Sequence, residues 1–211
     1  MMGRKIKPLI YLFCEGESKI EYGKCIKERF SDVAVIMKPV KGLFTEAERK
    51  FRKEARYRNK IDVIDEIWFF FDVDHDQAGS WKDNQKTIRL LRKLRKHPGI
   101  RVRLLMTTGC VEYWYLLHFE KVCPPIQSPA EKDRVMAMLR KHSPAYEKGD
   151  QVTTAEIAGC MDTAVRNGAW ALQAVDGLPM LEDNDIRNQW LYQCGKTFTT
   201  VQEAIEFLES L

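Results

Sequence analysis

FFFDVDHD, residues 69–76, runs three phenylalanines into three acids and a histidine. With the residues before it, it gives EIWFFFDV (66–73), apolar on both faces of an extended chain, as strands buried in parallel sheets are. Successive side chains of a strand alternate between faces. Asp72, Asp74 and Asp76 therefore present carboxylates on one side while the chain stays extended, and Val73 and His75 turn the other way. Asp also favours turns and helix caps, so the run by itself reads as a turn too.

Working outward, LIYLFCEG (9–16) is a short apolar run stopped by glycine and reads as a buried strand. Ser18 to Phe30 reads as a helix, with Ser18 as N-cap and Glu21 completing a capping box. VAVIMKPV (33–40) reads as a strand closed by Pro39, Thr45 to Lys60 as a strongly basic helix, and Gln85 to His97 as a helix ended by Pro98-Gly99. RVRLLMTT (101–108) is a fourth strand. This alternation predicts an α/β fold with a mostly parallel four-stranded sheet flanked by helices. After residue 110 strand signals fade. Residues 111–120, 130–142, 153–175 and 201–211 read as helices, giving a domain over 1–120 and a helical C-terminal extension over 121–211 packed on it.

The chain has 211 residues and a net charge of +4, unevenly spread. Residues 1–105 carry 25 Lys/Arg against 15 Asp/Glu, and residues 106–211 carry 9 against 15. The basic half suits a polyanion, or simply two solvated helix faces. No apolar run reaches 18 residues, so no membrane span is expected. The apolar run from Leu9 to Cys14 ends at Glu15, too early for a secretory signal. Six cysteines without CxxC spacing suggest reduced thiols and a cytoplasmic location. No Walker motif, GxSxG or HExxH occurs, which argues against a P-loop ATPase, an α/β hydrolase and a zincin.

Ligands of parallel α/β sheets bind beyond the carboxyl ends of the strands. Glu15 ends the first strand, and Asp72, Asp74 and Asp76 end the third. Converging carboxylates repel and are costly to desolvate unless paired. A hard cation resolves that conflict. Mg²⁺ (or Mn²⁺) takes oxygen ligands, keeps several waters and needs only two or three carboxylates. Such an ion activates water and stabilises displacement at phosphorus.

CEGES (14–18) followed by FFFDVDHD resembles the Toprim domain of topoisomerases, primases and OLD-family nucleases, with Glu-Gly after one strand and DxD after a later one. TTGCVEYWYLLHFE (107–120) resembles a signature of the RloB-like family, Toprim-like proteins linked to bacterial phage defence. The resemblance implies a Mg²⁺-dependent nuclease for DNA or RNA, with an ATPase partner from the same defence system. It implies Glu15 as a general base or metal ligand, Asp72 and Asp74 as the metal pair, and Gly16 for a tight turn. Asp76 and Glu112 become groups for a second metal or its surroundings, and Glu112 and His118 match polar positions of the third signature. The sequence departs from the pattern at Lys19, where related nucleases carry a second acid, with Glu17 and Glu21 nearby. It departs again at Thr108-Gly109, where Asn-Pro precedes the cysteine.

Other readings stand beside these. At 3.6 residues per turn, positions 112 and 118 sit about 120° out of alignment, so one helix face does not present both. Glu112 near a helix start simply favours the dipole, and His75 is turned away from the acids. In ERKFRKEARYRNK (48–60), Arg49, Arg52, Lys53 and Arg56 are candidates for phosphate contact, although a solvated helix gives the same pattern. Two rival functions are a non-catalytic nucleic-acid- or partner-binding module, favoured by Lys19, and a phosphatase of small nucleotides.

Overall fold

The computed structural model describes residues 7–74 and 80–211; His75 and Asp76 lie outside them. The architecture is α/β, with one parallel sheet of five strands flanked by ten helices among the described residues. β1 (Leu9–Cys14) lies beside β4 (Glu66–Val73), which in turn lies beside β5 (Arg101–Thr108). On its other edge β1 pairs with two short strands, β2 (Val35–Ile36) and β3 (Val40–Lys41).

The expected single strand over 33–40 is thus split, and the sheet has five strands rather than four. Pro39, with no N–H to give a ladder, sits in the gap.

β4 is the central strand, and its alternation builds the core. Trp68 and Phe70 enter the apolar cluster on one face, and Ile67, Phe69, Phe71 and Val73 enter the cluster on the other. The first face is covered by α1 (Glu17–Arg29), α5 (Val111–Leu116), α6 (Pro129–His142), α7 (Gln151–Ala158), α8 (Met161–Gln173) and α10 (Val201–Glu209). The second is covered by α2 (Phe44–Lys53), α3 (Ala55–Arg58), α4 (Trp81–Arg92) and α9 (Asp185–Gln193). On that side Phe44 stacks on Phe69 at 4.3 Å between ring centroids. Residues beyond 120, such as Val135 and Leu139 in one cluster and Leu191 and Phe198 in the other, contribute to both.

The outer edge of β5 is covered by the chain leading into α10. Thr200 N–H donates to Met106 O, and Met106 N–H donates back to Thr200 Oγ1, each at 2.9 Å. This satisfies backbone groups that an open edge strand would leave unpaired. The even-numbered face of β4 also carries Glu66, buried with Arg103 at 3.0 Å and accepting from Trp68 Nε1 at 2.5 Å. A buried ion pair is tolerated where further hydrogen bonds complete it.

Several helix boundaries differ from expectation. The basic helix over 45–60 breaks at Glu54, whose ψ of 118° is extended, giving α2 and α3. The helix over 153–175 breaks at Gly159-Cys160 into α7 and α8, and the one over 85–97 starts earlier and ends at Arg92. α5 stops at Leu116, and α9 has no counterpart in the sequence reading. Ser18 is not the N-cap of α1. That position is Gly16, and Ser18 Oγ instead accepts the N–H of Gly149 at 3.0 Å. All six cysteines are free. Among the described residues no helix is long and apolar enough to cross a membrane.

Candidate active site

β1 and β4 end side by side, with Cys14 in register with Phe70. The chain beyond each strand therefore meets at one point. A cavity of about 540 Å³ opens there, within the usual range for ligand sites. Asp72 and Asp74 from the end of β4, Lys19 from α1, Glu112 from α5 and Lys132 from α6 all line it. Asp72 and Asp74 share one side of the strand, as alternation requires.

Glu15 is placed differently. It lines a smaller adjoining hollow with Phe44, Phe71 and Asp72. From there its Oε2 accepts the backbone N–H of Asp72 at 2.9 Å and meets Lys19 Nζ at 3.1 Å. Glu15 fixes the end of β4 rather than lining the main cavity. Gly16 has an extended φ of −149°, and a Cβ there would meet nothing within 4 Å, so the turn does not demand glycine.

Lys19 stands at the centre. Its side chain is 6% exposed, and its ammonium lies 2.6 Å from Asp72 Oδ2 as well as beside Glu15. Burial works against its charge, yet Asp72 and Glu15 hold its pKa above the ordinary lysine value. Burial pushes the Asp72 carboxyl up to about 6, against the pull of Lys19 and with help from Glu15 and Glu112. Asp72 Oδ1 is buried and has no hydrogen-bond partner among the described residues. Asp74 Oδ1 meets Lys132 Nζ at 2.5 Å, and Asp74 and Asp72 hold the Lys132 pKa up despite burial.

Glu112, 2% exposed, accepts from Tyr146 Oη at 3.1 Å and lies 3.6 Å from Lys148 Nζ. The Cys110 thiol is pushed up to about 12, first by burial and then by Glu112 and Asp72, so it stays protonated at neutral pH. Glu17 lines the cavity and pairs with Lys41 at 2.8 Å, whereas Glu21 is tied to Lys24 at 2.7 Å and does not line it. His118 is brought into the core instead. Its Nε2 meets Tyr22 Oη and its Nδ1 meets Trp114 O, both at 2.9 Å, and burial lowers its pKa to about 4. His75 and Asp76 lie outside the described residues.

On α2 and α3, Arg49 is held by Glu46 and Glu54, Arg52 by Glu48 and Arg56 by Glu54. Lys53 is exposed. The sequence reading missed Lys132, Tyr146 and Lys148. No local pattern marks them, since Lys132 and Lys148 reach the cavity from α6 and the loop after it, and Tyr146 reaches Glu112 from that loop.

Gly109 makes the turn from β5 to α5 with φ at +71°, and a Cβ would lie 2.5 Å from Ile126 Cγ2 and 2.7 Å from Ile126 O. Gly109→Ala is expected to cost about 2–4 kcal/mol, from left-handed strain and a backbone clash. Urea unfolding would measure it; a loss under about 0.5 kcal/mol would show that the turn relaxes freely.

Could these residues hold a divalent ion? Among the described residues no three His, Cys, Asp or Glu side chains form a ready-made cage. Mg²⁺ seldom uses one; it sits on one or two carboxylates, waters and substrate phosphates. The orphaned, buried Oδ1 of Asp72, with Asp74 beside it in the cavity, fits that mode.

A parallel α/β sheet with acids and lysines gathered beyond the carboxyl ends of two adjacent strands belongs to the class of α/β folds that bind ligands there. The chain belongs to the RloB-like protein family, whose model matches residues 10–208. No curated protein and no solved structure matched the chain.

Proposed function

We propose that the protein hydrolyses phosphodiester bonds in DNA or RNA with one Mg²⁺ (or Mn²⁺) held by Asp72 and Asp74. The observation that carries this reading is the buried Asp72 carboxylate, whose Oδ1 has no partner among the described residues of a cavity lined by lysines. A bound ion would supply charge neutralisation and an activated water. The chain's own groups do the rest. Lys132 and Lys148 attract the anionic substrate, and Lys19 fixes Asp72 in place. Glu112, oriented by Tyr146, is the candidate to accept a proton from the attacking water. Glu15 acts through the backbone of Asp72, as a positioning residue. Membership of the RloB-like family supports a role in phage defence, an ATPase partner and a cytoplasmic location, all as parts of this proposal.

A second reading, a non-catalytic binding module, is favoured by one observation: Lys19 and Lys132 already occupy one oxygen of Asp72 and one of Asp74. Calorimetric titration of Mg²⁺ and Mn²⁺ separates the two. Wild type is expected to bind, and Asp72→Asn/Asp74→Asn to lose binding. Absence of binding with and without a non-cleavable oligonucleotide, together with no cleavage of DNA or tRNA, would establish the module instead.

A further inference from the structure

The basic helix is the obvious place for a polyanion, yet its charge is largely spent internally. Glu46, Glu48 and Glu54 lie within 3.3 Å of the cationic groups of Arg49, Lys50, Arg52 and Arg56. Three exposed lysines nearby, Lys27, Lys38 and Lys60, are not spent in this way, whereas Lys24 and Arg56 beside them pair with Glu21 and Glu54. In the gap between β2 and β3, Lys38 is exposed and Pro39 is buried, and both residues line two clefts. One cleft, about 520 Å³, has Met37, Pro39 and Val40 as apolar lining and Lys38, Arg56 and Lys60 around it, with no acid. The other, about 530 Å³, shares Lys38 and Pro39 and adds Lys24 and Lys27, with Glu28 as its one acid. Lys27, Lys38 and Lys60 make no ion pair with any described residue.

Each cleft has a lining residue close, along the chain or through one ion pair, to a residue of the candidate active site. Val40 lines the first, and its neighbour Lys41 pairs with Glu17, which lines the main cavity. Gln151 lines the second, and Gly149 lines the main cavity. From Gly149 to Gln151 the chain spans at most about 7 Å, about one nucleotide step.

We propose that Lys38 and the two clefts beside it hold the sugar–phosphate backbone of the nucleic acid and lead it into the Asp72 cavity. This rests on the proposed function and names its recognition surface. Phosphates meet Lys38, Lys60 and Lys27, while the apolar lining takes sugar and base edges. Such contacts are read as counterion release, which gives a salt dependence of about 0.7–0.9 in log–log slope per phosphate.

The test is binding of a fluorescent oligonucleotide across a salt series in EDTA, so that no strand is cut. Lys38→Gln/Lys60→Gln is expected to lose about 30-fold in affinity near 0.1 M salt, with the slope falling by about 1.5. Arg49→Gln/Arg52→Gln, matched for charge, is expected to stay within threefold of wild type. All four side chains sit on the surface, and thermal melts confirm that both variants fold. Unchanged binding by Lys38→Gln/Lys60→Gln, or an equal loss in Arg49→Gln/Arg52→Gln, overturns the proposal while leaving the catalytic reading intact. If wild type binds no oligonucleotide in EDTA even at low salt, the recognition surface falls, while the catalytic reading stands or falls with the Mg²⁺ titration and cleavage assay above.

Discussion

Lys19→Met is expected to lose about 3–5 kcal/mol of unfolding free energy near pH 8 and much less near pH 5. The ammonium is buried between Asp72 and Glu15, so its removal leaves a carboxylate in a site that already resists charge. With Lys19 present the Asp72 pKa is about 6, against 3.8 for an ordinary aspartate. A raised carboxyl means that the folded chain binds more protons than the unfolded one between those values. Stability therefore falls as pH rises through that window. Without Lys19 the pKa rises further, and the window of loss extends toward neutral pH. Urea unfolding by tryptophan fluorescence at both pH values would measure this. An equal loss at each would mean that Lys19 acts through packing alone. Millimolar Mg²⁺ is expected to restore part of the loss, because an ion bound only to the folded state stabilises it.

The residues explain which parts of this protein can be read along the chain. β4 was legible because a central parallel strand must be apolar on both faces, and the switch to Asp72 and Asp74 falls where the strand leaves the core. The split of the 33–40 strand was not, because β-branched residues gave a continuous strand pattern and only the pairing with β1 shows where Pro39 interrupts it. The break at Glu54 is likewise a tertiary matter, since nothing in ERKFRKEARYRNK is a helix breaker. Lys19 could be singled out only as a departure from a family pattern. That it takes the position between two carboxylates required the register of β1 against β4. Lys132 lies 58 residues from Asp74, and no local spacing links them. His118 was misread in its setting. It was set apart from Glu112, but on helical geometry that does not apply, because α5 stops at Leu116 and His118 lies in the turn beyond, buried against Tyr22 and Trp114.

Asp72→Asn is expected to reduce cleavage by about 10³-fold, about 4 kcal/mol of transition-state stabilisation, while leaving the fold at least as stable near pH 7. The two halves of that expectation have the same origin. Burial makes the charged form of Asp72 costly, as its raised pKa of about 6 records, so a neutral side chain of the same shape suits the folded chain well. Lys19 keeps Glu15 as its counter-charge, and the amide of the substituted side chain still offers an oxygen to the ammonium. What the substitution removes is the negative charge that the proposed ion requires. The same logic fixes the pH profile of the wild type: activity rises as pH passes about 6, because only ionised Asp72 serves. Combining the variants isolates the coupling. In the Asp72→Asn background, Lys19→Met should cost no more than about 1–2 kcal/mol, because the buried charge it would strand has gone. Additive losses in that cycle would show that Lys19 and Asp72 do not act as a pair. A cleavage rate unchanged by Asp72→Asn would remove the catalytic reading and leave the cavity as a place where nucleic acid is held.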